Sequence, residues 1–297
     1  RGAGVEVSEA YTNTNPIVIS DNLFVPTTAS FAQSLLISHN YAPVAIHVIN
    51  NTFAGHKVGI FSAASRGATI GNNEFFPAYG ATVFTHTLVN TAYPISGAQS
   101  ALGGANSITV TNNRFQSSTA AGLNGTAIEI KNDNSKGAVD FNPIVIGGTS
   151  SAMNTFDSKL ARIVWLGANV TSTNPAINAY WNDWGNTTID VIEAKLYHQP
   201  DDSNLAKINF YSMTVAAAPT TQWADNVASI NVTATISGFF TPGSGSGISF
   251  TASSGTFSPV LAATNGAGQA ASLLTSPIAG QTTITATGGV AVNHPVT

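Results

Sequence analysis

The sequence predicts an all-β chain in two parts, a coiled stack of parallel strands over residues 1–212 and a β-sandwich over residues 213–297. Three observations carry that prediction. A unit of strand, sharp turn and buried aromatic recurs in altered form through the first two thirds of the chain, and a second apolar strand precedes each of these corners. Beyond Thr214 charge almost vanishes, and alternating Thr/Val/Ile strands are separated by Gly and Pro turns.

The clearest copy of the unit is Ser107-Ile108-Thr109-Val110-Thr111-Asn112-Asn113-Arg114-Phe115. Relatives end in Asp21-Asn22-Leu23-Phe24, Asn50-Asn51-Thr52-Phe53 and Asn72-Asn73-Glu74-Phe75, with weaker ones at Asn154-Thr155-Phe156 and Asn182-Asp183-Trp184. Ile-Thr-Val and its equivalents alternate with the two-residue period of a strand that buries one face. Asn best tolerates the left-handed conformation among non-glycine residues, and its short amide bonds locally, so it suits a repeated corner. Stacked copies would align the second asparagines as a hydrogen-bonded ladder and the aromatics as a buried column. The second asparagines are separated by 29, 22, 40, 41 and 28 residues. The shortest interval fits one coil of a solenoid, and the longer ones fit the same coil with residues looped outwards. The earlier strands are Val5-Glu6-Val7, Leu35-Leu36-Ile37, Val58-Gly59-Ile60, Ala127-Ile128-Glu129-Ile130 and Arg162-Ile163-Val164, so each coil supplies at least two strands.

Over roughly residues 1 to 190 this pattern resembles the right-handed parallel β-helix repeat of the pectin-lyase-like superfamily, in which an Asn ladder and stacked aromatics are common. The resemblance implies a right-handed parallel β-helix solenoid. It leaves function open, because that scaffold carries lyases, hydrolases, phage tailspikes, adhesins and surface proteins alike.

Composition narrows the classes. With 43% hydrophobic residues, 8% charged residues and net charge −4 the chain is folded rather than disordered. Ten Lys and Arg residues with no basic run argue against a nucleic-acid partner. The absence of cysteine excludes disulfides and thiol chemistry. No apolar run reaches membrane-span length and no signal sequence starts the chain, so an extracellular or cell-surface address implies a mature or trimmed product. The Asn-Xaa-Ser/Thr sequons at Asn50, Asn124, Asn169, Asn186 and Asn231 are what chance gives in a chain rich in Asn and Thr.

Taken in order, the chain is already in a strand pattern at Val5, with no amphipathic helix to cover that end of a solenoid. A strand is expected over 81–85, and long excursions over 77–106 and 131–137. Segment 186–212 closes the solenoid: Ile189, Ile192 and Leu196 have helical spacing, and Asp201-Asp202 reads as a turn rather than a metal site. Residues 213–297 resemble the bacterial immunoglobulin-like domains of invasin and intimin, on Ala224–Ile236, Gly247–Gly255, Thr264–Ser276 and Ala279–Ala286. The last strand, near His294, is short for that family.

The candidate catalytic face is Glu129, Lys131 and Asp133, outward by alternation, with Arg162 one coil on. The same residues suit an ordinary solvated strand face, and no dense acidic cluster accompanies them. His47 and His56 flank one coil as surface or corner residues, and the six histidines lack metal-ligand spacing. Trp165, Trp181 and Trp184 could stack a sugar, though core filling is the simpler role. Accordingly no catalytic, cofactor-binding or metal residue is assigned and no cofactor is expected.

The expected function is a non-catalytic extracellular structural protein of surface-layer or adhesin type, or the subunit of a head-to-tail filament joined through open ends. The alternatives are a polysaccharide lyase or glycosidase with an accessory module, and a carbohydrate-binding or phage receptor-binding module. Surface carbohydrate and further copies of the chain are the expected partners.

Overall fold

A computed structural model describes residues 3–8, 15–25, 33–38, 46–54, 58–63, 67–76, 86–92, 107–116, 126–132, 144–147, 149, 151–167, 170–173, 176–186, 188–238, 244–288 and 291–292. Through residue 210 the strands fall into three parallel stacks. The first contains β1 (Ala3–Ser8), β4 (Gln33–Ser38), β7 (Val58–Ala63), β10 (His86–Ala92), β13 (Thr126–Asn132), β16 (Arg162–Leu166) and β19 (Leu196–Tyr197). The second contains β2 (Ile17–Ser20), β5 (Ile46–Ile49), β8 (Gly67–Gly71), β11 (Ser107–Thr111), β14 (Ile144–Ile146), β17 (Ile177–Ala179) and the start of β20 (Ile208–Ala218). The third contains β3 (Leu23–Phe24), β6 (Thr52–Ala54), β9 (Glu74–Phe76), β12 (Arg114–Phe115), β15 (Asn154–Phe156) and β18 (Asn182–Asp183). Strands in each stack recur in chain order, which makes this part a parallel β-helix with three sheets around one core. The strand expected over 81–85 lies outside the described residues, and the strand of that coil is β10.

At the corner between the second and third sheets two adjacent residues divide the labour. The first of each pair takes the left-handed conformation: Asp21, Asn50, Asn72 and Asn112 have φ of 61°, 60°, 56° and 53°. The second builds the ladder. Asn73 Oδ1 accepts from Asn51 N at 2.9 Å and from Asn51 Nδ2 at 3.1 Å, while Asn73 Nδ2 donates to Asn113 Oδ1 at 3.0 Å and Val48 O at 2.8 Å. Asn22, Asn113, Asn154 and Asn182 continue the run in both directions. From Asn51 onward these amides are buried. Trp181 occupies the left-handed position of the last coil at φ 57°, a conformation uncommon for a bulky residue.

Two residues past each ladder amide the aromatic column begins. Phe24, Phe53, Phe75, Phe115 and Phe156 stack with centroids 4.8, 4.9, 4.8 and 5.0 Å apart and planes within 9°. That spacing is the distance between neighbouring strands, so backbone pairing sets the ring separation. Trp184 follows at 5.5 Å, and Phe210 then meets it edge-on at 75°, ending the column.

The closing segment is tied by side chains. The helix α1 (Ile189–Glu193) is shorter than its apolar spacing predicts, because Leu196 belongs to β19 and continues the first sheet. His198 is fully buried: its Nδ1 accepts from Ile208 N at 3.0 Å, which leaves Nε2–H to bond Glu193 Oε1 at 3.0 Å. Asp201 Oδ2 accepts from His198 N and Asp202 Oδ1 from Asn204 N, both at 3.0 Å, so this acidic pair forms the expected turn. Gly185, at φ 65°, has the Phe156 carbonyl oxygen 2.3 Å from where a Cβ would lie, so only glycine fits there.

Strand β20 belongs to both parts. Ile208–Phe210 pair in parallel with β17, and Tyr211–Ala218 pair antiparallel with β21 (Ile230–Gly238). Trp184 Nε1 donates to Tyr211 O at 2.9 Å across the junction, and burial, then the nearby Tyr180, push the Tyr211 phenol pKa up. Beyond it, β20, β21, β25 (Gln269–Thr275) and β23 (Thr256–Ser258) form one antiparallel sheet. The other is β24 (Leu261–Ala263), β22 (Gly247–Ala252), β26 (Ile284–Gly288) and β27 (Ala291–Val292). Met213, Val232, Ile236, Ile248, Phe250, Leu274 and Ala286 close a second core between them, separate from the first, as in a β-sandwich.

Candidate functional site

The outer face of the first sheet carries the chemistry that was expected there, differently arranged. Strand pairing aligns Val89, Glu129, Trp165 and Tyr197 at one register position. Glu129 is buried at 4% exposure, which corrects its reading as part of a solvated face. The backbone of Lys131 pairs with Thr91, its side chain lies outside the described residues, and so does all of Asp133. Arg162 is indeed one coil on, but its strand neighbour is Thr126 and the residue beside Glu129 is Trp165.

Arg162, Trp165 and Tyr197 form the cluster. The rings of Trp165 and Tyr197 meet edge-on, 6.3 Å between centroids and 79° between planes. The Arg162 guanidinium carbon lies 5.1 Å from the Trp165 centroid and 5.6 Å from that of Tyr197, within cation–π range of both. Arg162 is exposed and both rings are half-buried. Among the described residues no carboxylate lies within ion-pair distance of this guanidinium.

Simple alternation would put residues 162 and 165 on opposite faces. A bend at the start of the strand prevents that: Ile163 and Val164 are consecutive and both fully buried, although the register with β13 stays constant. Sequence reading missed Tyr197 because it counted Leu196 as helical; only the strand pairing of Trp165 with Tyr197 in the structure brings the two rings together.

The other candidates separate. Trp184 fills the core at 2% exposure and Trp181 sits at the last corner, half-buried. His47 lies in β5, partly exposed on the outer face of the second sheet, and His56 lies outside the described residues. Arg114 and Glu74 approach to 3.8 Å on the outer face of the third sheet, an exposed pair of small energetic weight. Among the described residues no group of three or more His, Cys, Asp or Glu is placed to hold a metal ion, and no helix is long and apolar enough to cross a membrane.

Fold and site define a class, a parallel β-helix joined through one shared strand to an antiparallel β-sandwich, with an aromatic–guanidinium cluster on the outer face of the first sheet. Neither a family model nor a curated protein matches the chain. Among solved structures it is similar to the tailspike protein of E. coli bacteriophage HK620 in complex with a pentasaccharide, at 10% identity and a TM-score of 0.22. A mutant of that tailspike, also in complex with a pentasaccharide, gives 11% and 0.21. The match covers 86% of this chain and spans 58% of the tailspike. At that depth the likeness establishes no function, which has to be argued from the residues.

Proposed function

We propose that this protein is a non-catalytic, extracellular carbohydrate-binding protein, in which the β-helix is a rigid support and the Arg162–Trp165–Tyr197 face is the contact surface. The observation that carries this reading is the pair of half-buried aromatic rings fixed at right angles beside an oriented donor. Pyranose rings present an apolar C–H face bordered by hydroxyls. An aromatic surface with a few polar groups at its margin complements that pattern. Because the rings sit on neighbouring strands of a packed sheet, little ordering cost is left for the moment of binding.

The second module supports presentation of that surface. Its strand order and composition fit the immunoglobulin-like domains of cell-surface proteins, and the shared β20 makes the joint continuous rather than a flexible linker. Phe210 meets Trp184 edge-on and ends the aromatic column at the last coil, so a head-to-tail contact would use the first coil and the sandwich edge instead.

The reading is tested by titrating the protein with a panel of neutral and acidic oligosaccharides while following tryptophan fluorescence and heat. Trp165→Ala and Tyr197→Ala should each weaken binding at least about tenfold, as expected when a central aromatic contact worth more than about 1.4 kcal/mol is truncated. Circular dichroism should stay unchanged. Binding that survives both substitutions would refute the assignment, and release of reducing or unsaturated sugar ends would move the protein to the enzymes.

A further inference from the structure

We infer that the saccharide taken by this face is acidic, and that Arg162 receives its carboxylate. The inference deepens the carbohydrate-binding reading and rests on it. Arg162 is an exposed cation whose guanidinium lies beside two rings, and among the described residues no carboxylate is within ion-pair distance of it. Glu129 occupies the same face one coil away, yet it is buried, and no ion pair joins it to Arg162. Its guanidinium carbon lies within cation–π reach of both rings, whose negative π-clouds attract it. Arg162 is exposed, and a guanidinium carries its N–H donors in one plane, the planar fork that bonds a carboxylate through two parallel hydrogen bonds.

The same arrangement discriminates against neutral sugars. A neutral pyranose offers Arg162 only hydroxyl acceptors, whereas an acidic sugar offers a full opposite charge in a planar two-oxygen acceptor. An acidic sugar keeps the guanidinium where it is, bonds its edge, and lays its C–H face on the remaining ring surface. Lysine cannot replace arginine in this role, because an ammonium group has neither the planar fork nor the stacking face.

The test uses the full chain with oligoglucuronate and oligosialate, each compared with its methyl-esterified, uncharged form. At least one acid should bind about tenfold or more tighter than its ester, in line with a charge-assisted hydrogen-bond pair, and the difference should shrink between low and high salt. Arg162→Gln should abolish the preference of acid over ester. Arg162→Lys should recover only a minor part of it. Because Arg162 is exposed, unchanged circular dichroism and melting temperature will show that these variants fold. Equal binding of acid and ester, unaltered by Arg162→Gln, would overturn the inference while leaving carbohydrate binding intact. Failure of every saccharide, neutral ones included, would overturn both.

Discussion

The two cores of this molecule are built on opposite plans. In the β-helix each residue packs against its own equivalent one coil away: Phe75 lies between Phe53 and Phe115, and Asn73 between Asn51 and Asn113. In the sandwich, unlike residues from two sheets complete one another, as Phe250 does with Phe257 at 5.4 Å. The difference teaches where order propagates. A solenoid coil depends on its immediate neighbours, so its stability is nearly one-dimensional, whereas the sandwich core stands or falls together.

Asn73→Ala is the sharpest way to break that contrast. It leaves Asn51 N–H and Val48 O short of a partner in a buried place, while Asn51 Nδ2 and Asn113 Oδ1 each lose one bond and keep others. At about 1–3 kcal/mol for each unsatisfied group, with partial relaxation, the loss should be about 3–5 kcal/mol. Hydrogen exchange read by mass spectrometry should show protection falling in the coils around residues 46–76 and 107–116, with residues 230–288 unchanged. Simultaneous loss in both regions would show that the two cores unfold as one.

The converse experiment is Phe250→Ala, which removes a side chain that is 1% exposed from the centre of the sandwich. It should cost about 3–4 kcal/mol and expose the whole of 230–288 in one step, while the ladder keeps its protection. Between the two lies the joint. His198→Ala deprives Ile208 N–H of its acceptor just where β20 leaves the last coil, at a cost of about 1–3 kcal/mol. His198→Asn, whose Oδ1 falls near the position of Nδ1, should recover part of that stability in urea titrations.

The same contrast explains what the sequence could be made to tell. The ladder and column were legible because a solenoid repeats one residue at one register position, so six separated corners point to one local physics. The sandwich strands were legible from alternation, as in Val232, Ala234 and Ile236 buried between more exposed neighbours. What failed was whatever depends on a local break in the period. The bend at Ile163–Val164 brings Arg162 round to Trp165, and no two-residue count gives that. Leu196 matched a helical spacing with Ile189 and Ile192, but pairing with Val164 drew it into the sheet. Glu129 alternates outward as read, and its burial came from packing that alternation says nothing about.

The smallest expected effect sets neutral corners against a charged one. The solenoid's ladder is held by amides that do not titrate, while the tip of the sandwich is held by Asp225, whose Oδ1 accepts from Ala228 N at 2.7 Å and Val227 N at 2.9 Å. These bonds, Ala228 first, favour the ionised form and hold the carboxyl below its ordinary value of 3.8. A group depressed in the folded state stabilises it above the unfolded pKa, and that contribution fades as pH falls through the lower folded value. Acidification below about pH 4 should therefore loosen the 225–228 turn before the ladder responds. Amide exchange at Val227 and Ala228, compared with Asn73 and corrected for the intrinsic pH dependence of exchange, measures this. Asp225→Asn should flatten the local pH response, since its amide oxygen accepts the same bonds without charge. An unchanged response in that variant would place the acid sensitivity elsewhere in the sandwich.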